Sequence, residues 1–198
     1  MEKNNFIDAL NGAMQRDEDA RLSEKICFKV PYAKDAIKAV LKHYLGEKAI
    51  YKPEYDVIAD WLTDNKGKGL LMVGGTGTGK SFMGDYVIPT MLRYGTGQRL
   101  GCESITMDRL QNEYDIIKQM GIIYLDDVGN ESKTSDYGNR HDRFAELVEN
   151  AIRTNKILVV STNLTVNELK ERYNERIIDR LRDITVGVSF TGESLRGC

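Results

Sequence analysis

Gly74-Gly-Thr-Gly-Thr-Gly-Lys-Ser81 decides the fold of this chain, because it fits the P-loop pattern G-x-x-x-x-G-K-[ST] without a mismatch. Gly74, Gly75, Gly77 and Gly79 free the backbone to turn successive N–H groups inward on phosphate oxygens, with Thr76 and Thr78 carried between them. Lys80 adds a mobile cation for the β- and γ-phosphates, and the Ser81 hydroxyl is a ligand for Mg²⁺. The ligand class implied is a nucleoside triphosphate with its metal. The flanks agree. Gly69-Leu-Leu-Met-Val73 is an apolar run of strand length, and Phe82-Met-Gly-Asp-Tyr-Val-Ile88 has apolar residues at helical spacing. The helix after the loop points its positive dipole end at the same anion, with Phe82 at the edge of the site.

Working outward, strands alternate with helices from residue 69 onward. A strand is expected around Arg99–Ile105, and Thr106 caps a helix reaching about Gln119. A strongly apolar strand follows over Ile122–Leu125, then a helix over 142–153 and a buried strand over Lys156–Thr162. Thr165-Val-Asn-Glu168 matches a capping box; a charged helical region, Leu169–Arg182, leads to a last strand, Ile184–Phe190. Pro89, which has no N–H to donate, predicts a kink or early stop in the P-loop helix. This alternation predicts an α/β fold with a parallel sheet covered on both faces, and ligands beyond the C-terminal strand ends. Upstream, Pro31 is placed to open a helix over Tyr32–Leu45 that Gly46 ends, and another helix spans about Pro53–Leu62. Phe6, Ile7 and Leu10 form one apolar stripe, while Gln15–Arg21 is a charged, solvated stretch. The division expected is a short helical segment, 1–50, and an ATPase core, 51–198.

The 198 residues carry 28 basic and 30 acidic side chains, so no global basic excess advertises nucleic acid. No signal peptide and no membrane-length apolar stretch is present, and the cytoplasm is the compartment expected. Cys27, Cys102 and Cys198 are far apart and form no C-x-x-C pair; Cys27 and Cys102 read as small apolar residues. His43 and His141 are lone histidines with no catalytic role expected.

The remaining chemistry sits at strand ends. Asp126 follows four apolar residues, where a carboxylate can hold Mg²⁺; its neighbour Asp127 can orient or deprotonate an attacking water. Asn163 closes the buried strand and reads either as a turn former or as an amide facing the γ-phosphate. Arg176 and Arg180 lie four apart on one helix face, with Arg182 close by, and read on their own as a solvated charged face beside Glu175 and Asp179. Basic and aromatic residues interleave at Arg93-Tyr94, Arg99, Lys133–Tyr137 and Arg140–Arg143; taken singly each reads as ordinary surface, while together they form a pattern that suits single strands.

Taken together, Gly74–Ser81, Ile122–Asp127, Ser161-Thr-Asn-Leu164 and Glu175-Arg-Ile-Ile-Asp-Arg-Leu181 resemble the AAA+ ATPases of the DnaC/DnaI helicase-loader and IstB transposition-helper group. The ending Phe190-Thr-Gly-Glu-Ser-Leu-Arg196 looks like that of the DnaC branch. The resemblance implies a five-stranded parallel core of order 5-1-4-3-2 without a C-terminal lid domain, and ATP-dependent assembly into a ring or spiral. By position it makes Lys80 and Ser81 the Walker A pair, Asp126 and Asp127 Walker B, Asn163 sensor 1, and Arg180 the arginine finger acting in trans with Arg176 beside it. Residues Glu103–Tyr114 fall where this group carries a helical, single-strand-binding element. The function implied is a helicase-loader-like ATPase acting in DNA replication on single-stranded DNA with a replicative helicase; the alternative is an IstB-like helper that binds duplex DNA and recruits a transposase. A small-molecule P-loop kinase and a nucleotide-switched binding module complete the alternatives. Walker B ends Asp-Asp here, where many loaders have Asp-Glu.

Overall fold

The computed structural model describes residues 7–9, 11–12, 24–130 and 142–191. Its centre is a sheet of five strands: β1 (Gly69–Gly74), β2 (Glu103–Thr106), β3 (Ile122–Asp126), β4 (Ile157–Thr162) and β5 (Thr185–Phe190). The order is β2-β3-β4-β1-β5, and every pairing is parallel. Read from the other edge, this is the order 5-1-4-3-2. Leu70 stands beside Val159 on one side and Val186 on the other, which makes β1 a central strand. All five C-terminal ends therefore share one edge, where the phosphate loop leaves β1 and Asp126 closes β3.

The helices are α1 (Ala33–Leu45), α2 (Tyr55–Thr63), α3 (residues 80–95), α4 (Met107–Asn112), α5 (Tyr114–Ile117), α6 (Arg143–Arg153), α7 (Val166–Tyr173) and α8 (Glu175–Asp183). They cover both faces. Side chains alternate across a strand, so Leu70, Met72, Tyr124 and Val159 point to one face and Leu71, Ile123, Leu125 and Val160 to the other. The first face packs on Ile37 and Leu41 of α1, Ile58 and Leu62 of α2, and Met83 and Val87 of α3. The second packs on Leu110, Ile117, Phe144, Leu147, Leu169 and Leu181. Phe28 and Val30 also lie in the first core. Buried Asn65 fixes that segment, accepting from the Phe28 N–H at 2.9 Å and donating to the Ile26 carbonyl at 2.9 Å.

Several expectations change in detail. Helix α1 starts at Ala33, not at Pro31 or Tyr32; the Val30 N–H is pinned to the Leu62 carbonyl at 2.8 Å, and Pro31 and Tyr32 are used in a turn. Pro89 neither stops nor breaks α3. The helix absorbs the missing donor in wide π turns, Met83–Val87 and Met91–Gly95, on either side of Ile88–Thr90. Strand β2 is shorter than expected, since Arg99 takes a left-handed backbone with φ 52° and the Leu100 N–H is tied back to Leu92. The helix capped by Thr106 is broken into α4 and α5, and Glu103–Thr106 is edge strand. The charged region after Leu169 is two helices, because Asn174, at φ 77°, ends one and caps the next through the Arg176 N–H. Cys27 is exposed, while Cys102 packs against the first core.

Gln15–Arg21, Phe6, Leu10, Lys133–Tyr137, Arg140, His141, the ending after Thr191 and Cys198 lie outside the described residues. Among the described residues, no helix is long and apolar enough to cross a membrane.

Candidate active site

Strand β1 delivers the phosphate loop, and α3 leaves from it at Lys80. Gly77 and Gly79 hold φ 80° and 106°, conformations that side-chain-bearing residues seldom adopt, and this lets the loop curl back on itself. The Thr78 hydroxyl closes the curl on the Gly75 carbonyl at 2.9 Å. Lys52 braces it from outside, donating to the Thr78 carbonyl at 3.1 Å.

Inside this loop Lys80 is 5% exposed. Its ammonium donates to the carbonyls of Gly74 (2.7 Å) and Gly75 (2.8 Å) and to the Asn163 side-chain oxygen (2.8 Å). Burial lowers its pKa from the ordinary lysine value, and the charges of Asp127 and Asp126 oppose that shift. Asn163 turns its amide the other way, to Asp127 Oδ1 at 2.5 Å. Asp127 has φ 55° and anchors its own N–H on the Ser161 hydroxyl at 2.9 Å; Asn130 donates to its second carboxylate oxygen at 2.7 Å. A chain of polar contacts thus runs from Lys80 through Asn163 to Asp127.

Asp126 sits beside that chain. Its Oδ1 accepts from the hydroxyls of Tyr124 (2.5 Å), Ser161 (2.7 Å) and Ser81 (3.1 Å). Ser81 and Asp126 therefore meet, as a shared Mg²⁺ shell requires. Their hydroxyl and carboxylate oxygens are hard donors of the kind Mg²⁺ takes, and a bound Mg²⁺ would draw its other ligands from water and phosphate.

A cavity of about 650 Å³ opens over this group, a size suited to a nucleotide. Thr76, Gly77, Gly79, Lys80, Ser81 and Phe82 form one wall. Asp127, Ser161 and Asn163 form the strand-end wall, and Leu45, Ile50 and Tyr55 supply apolar surface on a third side, next to Glu47 and Lys48. The structure brings Gly74–Phe82, Asp126, Asp127 and Asn163 to one place. It does not bring Arg176 or Arg180 there. Arg176 is exposed on α8, and Arg180 pairs with Glu149 of α6 in a larger, more open groove of about 1000 Å³ that contains no phosphate-loop residue.

Sequence reasoning missed Tyr124, Ser161, Lys52 and the apolar wall. Tyr124 and Ser161 carried a signal: each is a polar side chain near the end of an apolar strand, and Tyr124, two residues before Asp126, faces the same side. The apolar wall has none, because it comes from the turn after α1 and the start of α2.

No family model matches the chain, and no curated protein matches it in sequence. Solved structures do. AMPPCP-bound DnaA from Aquifex aeolicus matches at 15% identity over 76% of this chain and 51% of that one, with a TM-score of 0.55. The DnaC helicase loader matches at 16% identity over 88% and 98%, with a TM-score of 0.52. Domain III of the Thermotoga maritima replication initiation protein DnaA matches at 17% over 71% and 64%, with a TM-score of 0.51. The chain thus spans about half of the Aquifex DnaA structure and nearly all of the DnaC one. At these identities the likeness is one of fold: the chain's five-stranded parallel core with its phosphate loop has the fold of the DnaC and DnaA structures.

Proposed function

We propose that this chain binds and hydrolyses ATP with Mg²⁺ and acts in DNA replication as a DnaC-like helicase-loading factor on single-stranded DNA. The observation that carries the reading is the convergence of Lys80, Ser81, Asp127 and Asn163 on one nucleotide-sized cavity, with Asp126 bonded to Ser81 behind its wall. Lys80 exchanges loop carbonyls for β- and γ-phosphate oxygens, and the N–H groups of Gly75–Ser81 cradle the same anion. Mg²⁺ held by Ser81 and Asp126 would neutralise charge on the phosphates. Asp127 orients the attacking water and accepts its proton, while Asn163 holds Asp127 and the γ-phosphate side of the site in register. Leu45, Ile50, Tyr55 and Phe82 offer the base an apolar seat.

Arg180, with Arg176 beside it, serves the site of a neighbouring copy in a ring or spiral. It lies in a groove that contains none of its own phosphate loop, and a guanidinium supplied in trans is worth about 10³–10⁵ in rate. The replication role draws on two solved relatives of the fold: a helicase loader and an initiator described as bound to AMPPCP and single-stranded DNA. A cytoplasmic setting with a replicative helicase as partner goes with that role.

The test is ATP turnover measured alone, with single-stranded DNA and with duplex DNA, using Lys80→Ala as control. Turnover stimulated by single strands and lost in Lys80→Ala is expected. Turnover unchanged in that variant defeats the assignment, and stimulation by duplex alone moves the chain to the transposition-helper role.

A further inference from the structure

We infer that the Tyr124 hydroxyl is a positioning group for the metal shell: together with Ser161 it holds Oδ1 of Asp126 and so fixes the carboxylate beside Ser81, the other proposed Mg²⁺ ligand. The inference rests on the nucleotide–Mg²⁺ reading above and adds to it a residue that the phosphate-loop and Walker B patterns do not contain. Tyr124 is fully buried in β3, yet its hydroxyl emerges beside Asp126 and donates to Oδ1 at 2.5 Å. Ser161 donates to the same oxygen at 2.7 Å and also receives the Asp127 N–H, so the two Walker B acids share one brace. Among the described residues, no hydrogen bond reaches Asp126 Oδ2. Donors on one oxygen and none on the other lock the carboxylate plane, as the outer partners of a metal ligand do.

The fold is shaped to admit this ring. A Cβ built on Gly84 would lie 2.1 Å from the Tyr124 ring carbon that bears the hydroxyl, so α3 accepts the phenol only because residue 84 has no side chain. Gly84 also sits in the π turn Met83–Val87, which follows the turn Lys80–Phe82 that carries Ser81, the other proposed metal ligand. One aromatic ring therefore sets the spacing between α3 and β3, the elements that carry Ser81 and Asp126. A phenylalanine would fill the same recess and leave Oδ1 of Asp126 held by Ser161 and Ser81 without its shortest bond.

The experiment uses the full chain with the non-hydrolysable analogue AMPPCP and Mn²⁺ as a paramagnetic stand-in for Mg²⁺. Mn²⁺ affinity is read by electron paramagnetic resonance on the analogue-saturated protein, and analogue affinity is read separately in EDTA. Tyr124→Phe should weaken Mn²⁺ by about tenfold and leave metal-free analogue binding within about twofold. Ser161→Ala, which removes another donor to the same oxygen without touching the ring, should move Mn²⁺ in the same direction. Wild-type Mn²⁺ affinity in both variants overturns the inference, as does an equal loss of metal-free binding, which would mark a purely structural role. If the wild-type chain fails to bind the analogue at all, the nucleotide reading falls and this inference falls with it; if wild type binds both ligands and the variants match it, this inference alone falls.

Discussion

Asn163 joins the two halves of the proposed chemistry, taking the Lys80 ammonium on its oxygen and giving its amide to Asp127. Asn163→Ala leaves the ammonium one acceptor short and lets the Asp127 carboxylate swing. Turnover is expected to fall by about 10²–10³, with nucleotide affinity, measured by a fluorescent ATP analogue, changing far less. Full turnover in Asn163→Ala would remove the amide from the mechanism. This residue was legible at the strand end only because a family pattern stood behind it. Taken alone, an asparagine after a strand is an ordinary turn former. Tyr124 shows the opposite case. Within Ile122–Leu125 its spacing two residues before Asp126 puts it on the same face, but the hydroxyl's bond to Asp126 and the recess at Gly84, distant in sequence, are visible only in the fold.

Among the elements, α7 has the best-defined start. The Thr165 hydroxyl accepts the Glu168 N–H at 3.3 Å, and the Glu168 carboxylate takes the Thr165 N–H at 2.7 Å. Thr165→Ala should cost about 1 kcal/mol, read from urea melts. The bonds from Thr165, backbone first, lower the Glu168 pKa below its ordinary value of 4.5. Its contribution is therefore fully present above pH 4.5 and lost as pH falls through the lowered folded value. The stability gap between wild type and Glu168→Ala should close at that acid end; a gap that stays constant would show that the carboxylate's charge is irrelevant. This cap was legible in four consecutive residues because both partners are local. The breaks at Asn174 and Arg99 were not, since each depends on where the next element must dock. Pro89 was read correctly as a defect, but the early stop it allowed does not occur, because the packing of Met83, Val87, Ile88, Met91 and Leu92 in the first core favours a widened helix over a broken one.

For the whole molecule, hydrophobic spacing identified the strands, but their neighbours came from family resemblance; the hydrogen-bonded order then agreed with it. Which copy serves which site is an assembly question. Arg180 is held by Glu149 in its own chain. Arg180→Ala should cripple turnover and spare nucleotide binding, and mixing it with Lys80→Ala protein should restore part of the rate through mixed sites. No recovery in the mixture, or full activity in the single variant, would mean that each chain works alone. The two separate cores have a mechanical corollary. The sheet is a partition: Lys80 and Ser81 ride on a helix bedded in one compartment, Asp126 and Asn163 belong to the wall itself, and Arg180 leans from the opposite compartment. A push on the outer side of α1 or α2 would therefore shift Lys80 and Ser81 against Asp126 and Asn163 while the layer behind the sheet stays put, and because Leu45 and Tyr55 also line the cavity, the same push would reshape its apolar wall.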